Sequence, residues 1–249
     1  MVVFYAFCRT MDDLADAPGK SPEWQLEQLN AWENGLVAGF SHPDTLQLQV
    51  TSLRDRYSIP NTLLTDIIDG CRMDLQPQRF QTWENLSDYI WKVACTVGLV
   101  SIRLFGCTDP GSEAYAIALG RALQLINILR DVREDHDHGE RIYLPLTDLA
   151  RFHYSEQDLK NHLHDQRFLA LMNFEADRAD ALLHHAAAIL PASDRRALTP
   201  ARIMAAIYQS LLADMRRDHF RAFDRRYRIS RIRKLAILSK HFAANFFAR

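Results

Sequence analysis

The chain has 249 residues, a formal net charge of -1, and 48% hydrophobic and 24% charged residues. These values are typical of a soluble globular protein and exclude a disordered or fibrous chain. The nearly neutral charge argues against a nucleic-acid partner, although the C-terminal fifth of the chain is basic. We interpret that basic segment as solvated helix faces, with contact to phosphate or to an anionic membrane left open.

No segment of the sequence has the length and apolar character of a membrane span. The longest uncharged apolar run, Val93 to Ile102, is too short to cross a bilayer. The four cysteines follow no zinc-ligand or redox spacing, as expected in a reducing compartment. We therefore predict a cytoplasmic protein whose association with membranes, where it occurs, is peripheral; the oligomeric state stays open.

Apolar residues recur at helical spacing along nearly the whole chain, and no run alternates apolar and polar residues as a strand does. Ser21-Pro22 and Thr199-Pro200 each predict a helix start, with the hydroxyl residue as N-cap. The pattern predicts one all-α domain over residues 1–249. The predicted helices are 2–16, 22–38, 44–57, 60–74, 83–105, 112–135, 166–190, 200–226 and 230–247, and residues 135–163 are predicted to be irregular.

The first predicted helix carries charged side chains on one face. Within FYAFCRTMDDLAD, Tyr5, Arg9 and Asp16 share this face with Asp12 or Asp13. Asp12 and Asp16 are four residues apart, and like charges at that spacing destabilise an exposed helix by roughly 0.2–0.5 kcal/mol. Burial in the interior would make the pair costlier unless a cation lies beside it. This helix therefore predicts a metal ion at an inward-facing acidic pair.

A second acidic pair lies in the segment ALGRALQLINILRDVRED, residues 118–135. Nearly every position there is apolar except a stripe formed by Gln124, Asn127, Asp131 and Asp135, which step by three, four and four residues along one helix face. A surface helix has the opposite pattern, a narrow apolar stripe on a polar body. We therefore expect this helix to lie in the interior with its polar stripe facing a cavity.

The composition of the two pairs indicates which ion they bind. Carboxylates without His or Cys favour a hard cation, and Mg²⁺ usually bridges one or two carboxylates to substrate phosphates. No Gly-rich phosphate loop is present among the nine glycines. One acidic pair alone is weak evidence, but two from distant parts of the chain predict a diphosphate site with Mg²⁺, or Mn²⁺ in its place. For His136 and His138, an exposed loop is favoured over a transition-metal site.

These motifs resemble those of the squalene/phytoene synthase family. YAFCRTMDDLAD is similar to the family's first aspartate-rich motif, and QLINILRDVRED followed by RIYLP is similar to the second. IIDGCRMDL, VACTVGLV, LFGCTDP and AAIYQSLL extend the resemblance over most of the chain. The resemblance implies a helical bundle of the isoprenoid synthase type with a central apolar cavity. It also implies a prenyltransferase that joins two allylic prenyl diphosphates head to head.

The resemblance assigns roles to individual residues. Asp12, Asp16, Asp131 and Asp135 would hold Mg²⁺ on two diphosphates, with Asn127 completing the metal shell. Tyr89 and Tyr208 match tyrosines of the family's cavity that take part in the reaction. The positions expected to bind the diphosphates are Tyr5, Arg9, Gln124, Arg130, Arg226, and, in the flap after the second motif, Arg141 and Tyr143.

The substrate expected from the resemblance is farnesyl diphosphate. The stretch from Ser155 to Met204 looks most similar to bacterial presqualene diphosphate synthases, which predicts a squalene-type C30 product. No nicotinamide site is evident, so a reaction that uses no NADPH is expected. A phytoene synthase that joins two geranylgeranyl diphosphates is the first alternative. The others are a terpene cyclase or head-to-tail prenyltransferase with the same metal chemistry, and a scaffold of the same fold without catalysis.

The sequence departs from the family pattern in three places. It begins almost at the first motif, so the family's preceding helix, with its diphosphate-binding Ser and Arg, is expected to be lacking. Trp91 stands where a Tyr is usual, and Cys95 stands where the family motif has Gly. Both substitutions are expected to alter the shape of the cavity.

Overall fold

The computed structural model describes residues 1–137 and 139–247, with side chains as far as Lys240. Within these residues the chain is all-α, as predicted, and its only β-type pairing is an isolated bridge between Arg79 and Ile142. The helices are α1 (Val2–Ala15), α2 (Pro22–Ala38), α3 (Thr45–Arg56), α4 (Asn61–Met73), α5 (Trp83–Ile90), a π-helical turn (Trp91–Cys95), α6 (Thr96–Phe105), α7 (Gly111–Asp137), α8 (Leu146–Arg151), α9 (Glu156–Lys160), α10 (Gln166–Ala188), α11 (Thr199–Arg217) and α12 (Arg231–Phe247).

Side-chain caps fix several of the helix starts. Ser21 Oγ accepts from the Trp24 amide at 3.3 Å, as predicted for a serine N-cap before Pro22. Asp44 forms a capping box with Gln47, in which each side chain accepts from the other residue's backbone amide at 2.8 and 2.9 Å. The helix start predicted at Thr199-Pro200 is confirmed, but Thr199 is not its N-cap: it is the first residue of α11, and its hydroxyl donates to the Arg196 carbonyl at 2.7 Å.

The predicted helix over 83–105 is interrupted by the π-helical turn. This turn packs against α7, where a side chain on Gly120 would place its Cβ 3.0 Å from Cys95 Cα and 3.1 Å from the Ala94 carbonyl. A side chain at this position would force the two backbones a few tenths of an ångström apart, so glycine favours the close approach. The extra residue in the turn was not predictable from the apolar pattern, because a π-turn keeps the chain helical while rotating the following side chains.

The predicted helix over 200–226 ends early, at Arg217. His219 and Phe220 adopt positive φ angles of 53° and 49°, which end the helix. The following segment stays attached to the core because Phe220, Phe223 and Tyr227 are buried. This segment carries Arg226 towards α7. The stretch 135–163, predicted to be irregular, contains the short helices α8 and α9.

Helix α7 lies at the centre of the bundle. It packs against α10 most extensively, and also against the π-helical turn, α6, α11 and α5. Apolar side chains surround it, among them Leu125, Ile126 and Leu129, each with 0% of its surface exposed. On the other side of the bundle, α1 packs against α2, α3 and α4. Within the described residues, no helix combines the length and apolar character needed to cross a membrane.

Candidate active site

The polar residues of α7 share one face of a largely buried helix, as the sequence predicts. Gln124, Asn127, Asp131 and Asp135 are all partly buried, and Leu125, Ile128 and Val132 between them are buried. Asn127 Nδ2 donates to Gln124 Oε1 at 3.2 Å, and the Tyr208 hydroxyl of α11 donates to Asn127 Oδ1 at 3.0 Å. The stripe is thus an ordered polar track on an otherwise apolar helix.

Two arginines cover the carboxylate of Asp131, whose side chain is only 15% exposed. Arg130 binds both carboxylate oxygens, with Nε 2.8 Å from Oδ1. Arg226 Nε also donates to Oδ1, at 3.1 Å, from the segment after α11. Both arginines were predicted to bind diphosphate. In the structure both pair with Asp131, and their role in binding diphosphate stays a prediction.

Helix α1 differs from the prediction that its acidic face points inward. Its buried face consists of Phe4, Phe7, Met11 and Ala15, which recur at intervals of three and four residues. The opposite face is exposed, because α1 packs against its neighbours on one side only and is amphipathic in the ordinary way. This exposed face carries Tyr5, of which 70% is exposed, and Arg9, Asp12, Asp13 and Asp16.

Arg9 and Asp13 pair with each other on this exposed face, at 2.9 Å, with side chains 62% and 59% exposed. Asp12 lies at the edge of the face that borders α4. The Cys71 thiol donates to Asp12 Oδ1 at 3.6 Å. Although Asp12 as a residue is exposed, desolvation of its carboxyl group raises its pKa, and the Cys71 contact opposes that change.

Asp74 is a functional candidate that the sequence analysis missed. It is the C-cap of α4, and its carboxylate accepts from the Tyr89 hydroxyl at 2.8 Å and from the Tyr143 hydroxyl at 2.8 Å. Burial raises its pKa, while the two tyrosine hydrogen bonds lower it. An acidic residue at a helix C-terminus is unfavourable with respect to the helix dipole. That position within IIDGCRMDL was the signal that could have identified it.

Arg141 connects the first motif to Asp74. Its Nη2 donates to Asp16 Oδ1 at 3.3 Å and to the Asp74 carbonyl at 2.8 Å. Arg141 also lies close enough to Asp135 to lower the pKa of that carboxyl. Asp16 of the first motif and Asp135 of the second are therefore both near Arg141 and Asp74. Within the described residues, the carboxyl groups of the two motifs are not gathered closely enough for three of them to share one ion. We call Asp12, Asp16, Asp74, Asp131, Asp135 and Arg141 together the acidic centre.

Asp135 is the most strongly perturbed carboxyl group of this centre. Desolvation is the largest cause, followed by the negative charge of Asp131 and then by that of Asp74, and together they raise the pKa of Asp135 to about 8. Arg141 opposes the shift. Crowded, desolvated carboxyl groups of this kind are favourable sites for a cation, which would relieve both the burial cost and the repulsion.

A short flap holds the aromatic part of the site. The Ile142 amide donates to the Gln78 carbonyl at 3.1 Å, and the Leu146 amide donates to the Phe80 carbonyl at 2.9 Å, so residues 78–81 anchor residues 142–147. This brings Tyr143 onto Tyr89, with ring centroids 5.2 Å apart, and Phe80 lies 5.2 Å from Tyr89. Tyr208 of α11 lies beside Asn127 of α7. Asn127 precedes Asp135 by about 12 Å along the axis of α7.

The donor groups of the acidic centre fit a hard divalent cation. The candidate ligands are all oxygen atoms, from Asp12, Asp16, Asn127, Asp131 and Asp135, with no His or Cys ligand among them. Asp12 and Asp135 have raised pKa values from desolvation, so binding of a cation would compensate an existing cost. The roles of these residues, and the central apolar cavity expected beside them, stay predictions.

Comparisons with known proteins agree with this architecture. The sequence model of the family described as squalene/phytoene synthase matches residues 1–233. The chain is 38% identical to a 15-cis-phytoene synthase of Synechocystis sp., with 94% of this chain and 73% of that protein covered. It is 32% identical to a phytoene synthase of Mycobacterium tuberculosis, with 97% and 80% covered.

Solved structures give the same result. A dehydrosqualene synthase in complex with a ligand superposes with a TM-score of 0.81 at 29% identity, covering 97% of this chain and 84% of that chain. A squalene synthase of Alicyclobacillus acidocaldarius superposes with a TM-score of 0.75 at 27% identity, covering 88% and 82%. The chain therefore belongs to the squalene/phytoene synthase family and is a prenyltransferase.

Proposed function

We propose that this protein joins two geranylgeranyl diphosphates head to head, with Mg²⁺, to give a phytoene-type C40 product and two diphosphate ions. The observation that carries the proposal is the shared acidic centre, in which Asp74 and Arg141 link Asp16 of α1 with Asp135 of α7. A site for two diphosphates needs carboxylates from both α1 and α7 to hold metal ions. It also needs cationic side chains near the phosphate groups.

In this proposal Asp12 and Asp16 would hold metal for one diphosphate, while Asp131, Asp135 and Asn127 would hold it for the other. Bound Mg²⁺ supplies positive charge that stabilises the departing diphosphate. The arginines contribute the remaining charge. Arg130 and Arg226 pair with the Asp131 carboxylate in the structure, and would turn to the phosphate oxygens once a metal ion binds that carboxylate. Arg9, Gln124 and Tyr5 complete the diphosphate contacts.

The aromatic side chains act on the hydrocarbon part of the substrate. Departure of one diphosphate leaves an allylic cation, and the double bond of the second substrate attacks it. The rings of Tyr89 and Tyr143 stack on each other beside the acidic centre, and Tyr208 lies farther along the stripe. A desolvated cation over such a ring gains about 2 kcal/mol. Asp74 holds both stacked tyrosines in position through their hydroxyl groups.

The choice of the C20 substrate rests on the relatives. The sequence-based preference for farnesyl diphosphate is not supported by the curated relatives reported above, which are phytoene synthases at 38% and 32% identity. The two solved structures have lower identities, 29% and 27%, and are a dehydrosqualene and a squalene synthase. The comparisons thus favour the alternative, geranylgeranyl diphosphate, over the first preference.

The test is product analysis with each substrate supplied separately. We expect geranylgeranyl diphosphate and Mg²⁺ to give a C40 hydrocarbon with or without NADPH, because the reaction ends with loss of a proton and consumes no reductant. Farnesyl diphosphate should be a poorer substrate. Formation of C30 products only would show that the farnesyl preference was correct. No product from either substrate, with the chain folded and Mg²⁺ bound, would contradict the proposal.

A further inference from the structure

A second group of metal-binding side chains lies outside the acidic centre. His136 and Asp137 end α7, and His162 lies just after α9. One ligand atom from each of the three residues lies within 4.8 Å of the others. His162 Nε2 is 3.2 Å from Asp137 Oδ1, and His136 Nδ1 is 3.9 Å from the same oxygen. We propose that these three residues form a binding site for a transition-metal ion of the Zn²⁺ type.

The donor set selects a different ion from that of the acidic centre. Two imidazole nitrogens and one carboxylate oxygen suit Zn²⁺, whereas Mg²⁺ prefers oxygen ligands. With metal–ligand bonds of about 2.0–2.1 Å, two ligands of a tetrahedral ion are about 3.4 Å apart. The two separations from Asp137 Oδ1 are 3.2 and 3.9 Å, and the two imidazole nitrogens lie within 4.8 Å of each other, so side-chain rotations would bring the three atoms onto one ion. Water would supply the fourth ligand.

Neighbouring groups hold the three ligands in place. The His136 side chain is only 12% exposed. The His162 ring stacks on Phe223, with centroids 5.0 Å apart and an interplanar angle of 22°. Arg133 Nε donates to Asp137 Oδ2 at 3.2 Å, which leaves Oδ1 directed at the histidines. Side chains that contact the metal ligands in this way orient them, and such contacts are common in protein metal sites.

A metal ion at this position would connect three parts of the chain. His136 and Asp137 belong to the helix that carries Asp131 and Asp135. His162 belongs to the turn after α9, and its partner Phe223 belongs to the segment that carries Arg226. The ion would therefore fix the end of α7 relative to the Arg226 segment. The site shares no ligand with the acidic centre, and its role is to stabilise this part of the fold.

The test is metal titration of the full chain after treatment with a chelator, in excess Mg²⁺ so that the acidic centre is filled. Co²⁺ serves as the spectroscopic probe, because nitrogen ligands in tetrahedral geometry give intense visible absorption. We expect one equivalent of Co²⁺ to bind with that spectrum and to be displaced by Zn²⁺. His162→Ala should weaken binding by about 100-fold or more.

His164→Ala is the matched control, because His164 Nε2 contacts the His219 carbonyl at 2.8 Å and lies outside the proposed ligand set. This variant should bind Co²⁺ as the wild type does. Zn²⁺ should raise the Tm of the wild type and of His164→Ala by about 5 °C at saturation, and should leave the Tm of His162→Ala and Asp137→Asn unchanged. Equal Co²⁺ affinity and equal spectra in His162→Ala and His164→Ala would overturn the proposal, as would the lack of any uptake in the wild type.

Discussion

The two aspartate-rich helices carry similar residues in opposite surroundings. On α7 the acidic stripe is partly buried, and the Asp131 side chain is 15% exposed and covered by two arginines. On α1 the corresponding face is open to solvent, and the Asp16 side chain is 65% exposed. The comparison shows that a helical motif fixes which side chains share a face, whereas the packing of the helix decides what that face meets.

Substituting one carboxylate on each helix gives the sharpest test of this comparison. Asp135→Asn and Asp12→Asn are each expected to lower kcat by about 10²- to 10³-fold, because each removes a charge that the proposed metal–diphosphate complex requires. Product formation from geranylgeranyl diphosphate is the measurement. Asp177→Asn is the control, since Asp177 is 74% exposed on α10 and pairs with Arg216. If Asp12→Asn behaves like Asp177→Asn, the α1 face is an ordinary solvated surface.

The next largest loss of activity is expected from substituting Asp74, which links α1 and α7 through Arg141. Asp74→Asn is expected to lower kcat by about 10- to 100-fold, because it weakens the hydrogen bonds that orient Tyr89 and Tyr143 and removes a charge beside Arg141. Steady-state kinetics measures the loss, and thermal unfolding of the same variant checks that the fold is retained. Wild-type kinetics in Asp74→Asn would mean that the two motifs work without this link.

A third prediction follows from the pKa of Asp135, raised from an ordinary value of 3.8 to about 8. Between these pH values the native chain keeps a proton that the unfolded chain has lost, so the free energy of unfolding falls as the pH rises. Without divalent metal, the wild type should lose about 3–4 kcal/mol more than Asp135→Asn between pH 5 and pH 8. Urea unfolding at both pH values measures this difference.

Added Mg²⁺ should restore stability to the wild type at pH 8 and do less for Asp135→Asn, because the cation binds the ionised carboxylate. Parallel pH profiles of the two proteins would show that the Asp135 carboxyl group ionises normally. In that case the Asp135 carboxyl group would be as well hydrated as the aspartates on the exposed face of α1, contrary to the structure.

The smallest effect is expected on the exposed face of α1. Arg9→Gln should change the free energy of unfolding by less than about 0.5 kcal/mol, because the Arg9–Asp13 pair is well exposed. If Arg9 binds diphosphate as proposed, KM should rise severalfold while kcat changes little. Arg217→Gln is a matched control, since Arg217 is 74% exposed and pairs with Asp214. Equal KM values for the two variants would remove Arg9 from the substrate site.

Much of the candidate site was predictable because its residues lie close together in the sequence. The stripe Gln124, Asn127, Asp131 and Asp135 is defined by helical spacing within one segment, so local periodicity was enough. Asp74 follows the last residue of α4 and shares no periodic face with the aspartate motifs, so its place beside Tyr89 and Tyr143 was not predictable. The contact between His162 and Asp137 was not predictable either, because the two residues are 25 positions apart in the sequence.

The sequence alone determined the helical class, the positions of most helices and the two acidic motifs, because each depends on spacing within a short segment. Tertiary structure alone decided that Trp91–Cys95 form a π-helical turn and that Asp74 and Arg141 connect the motifs. Those features arise from contacts between segments distant in the chain. Burial and electrostatic coupling depend on which segments meet, and spacing within any one segment does not specify that.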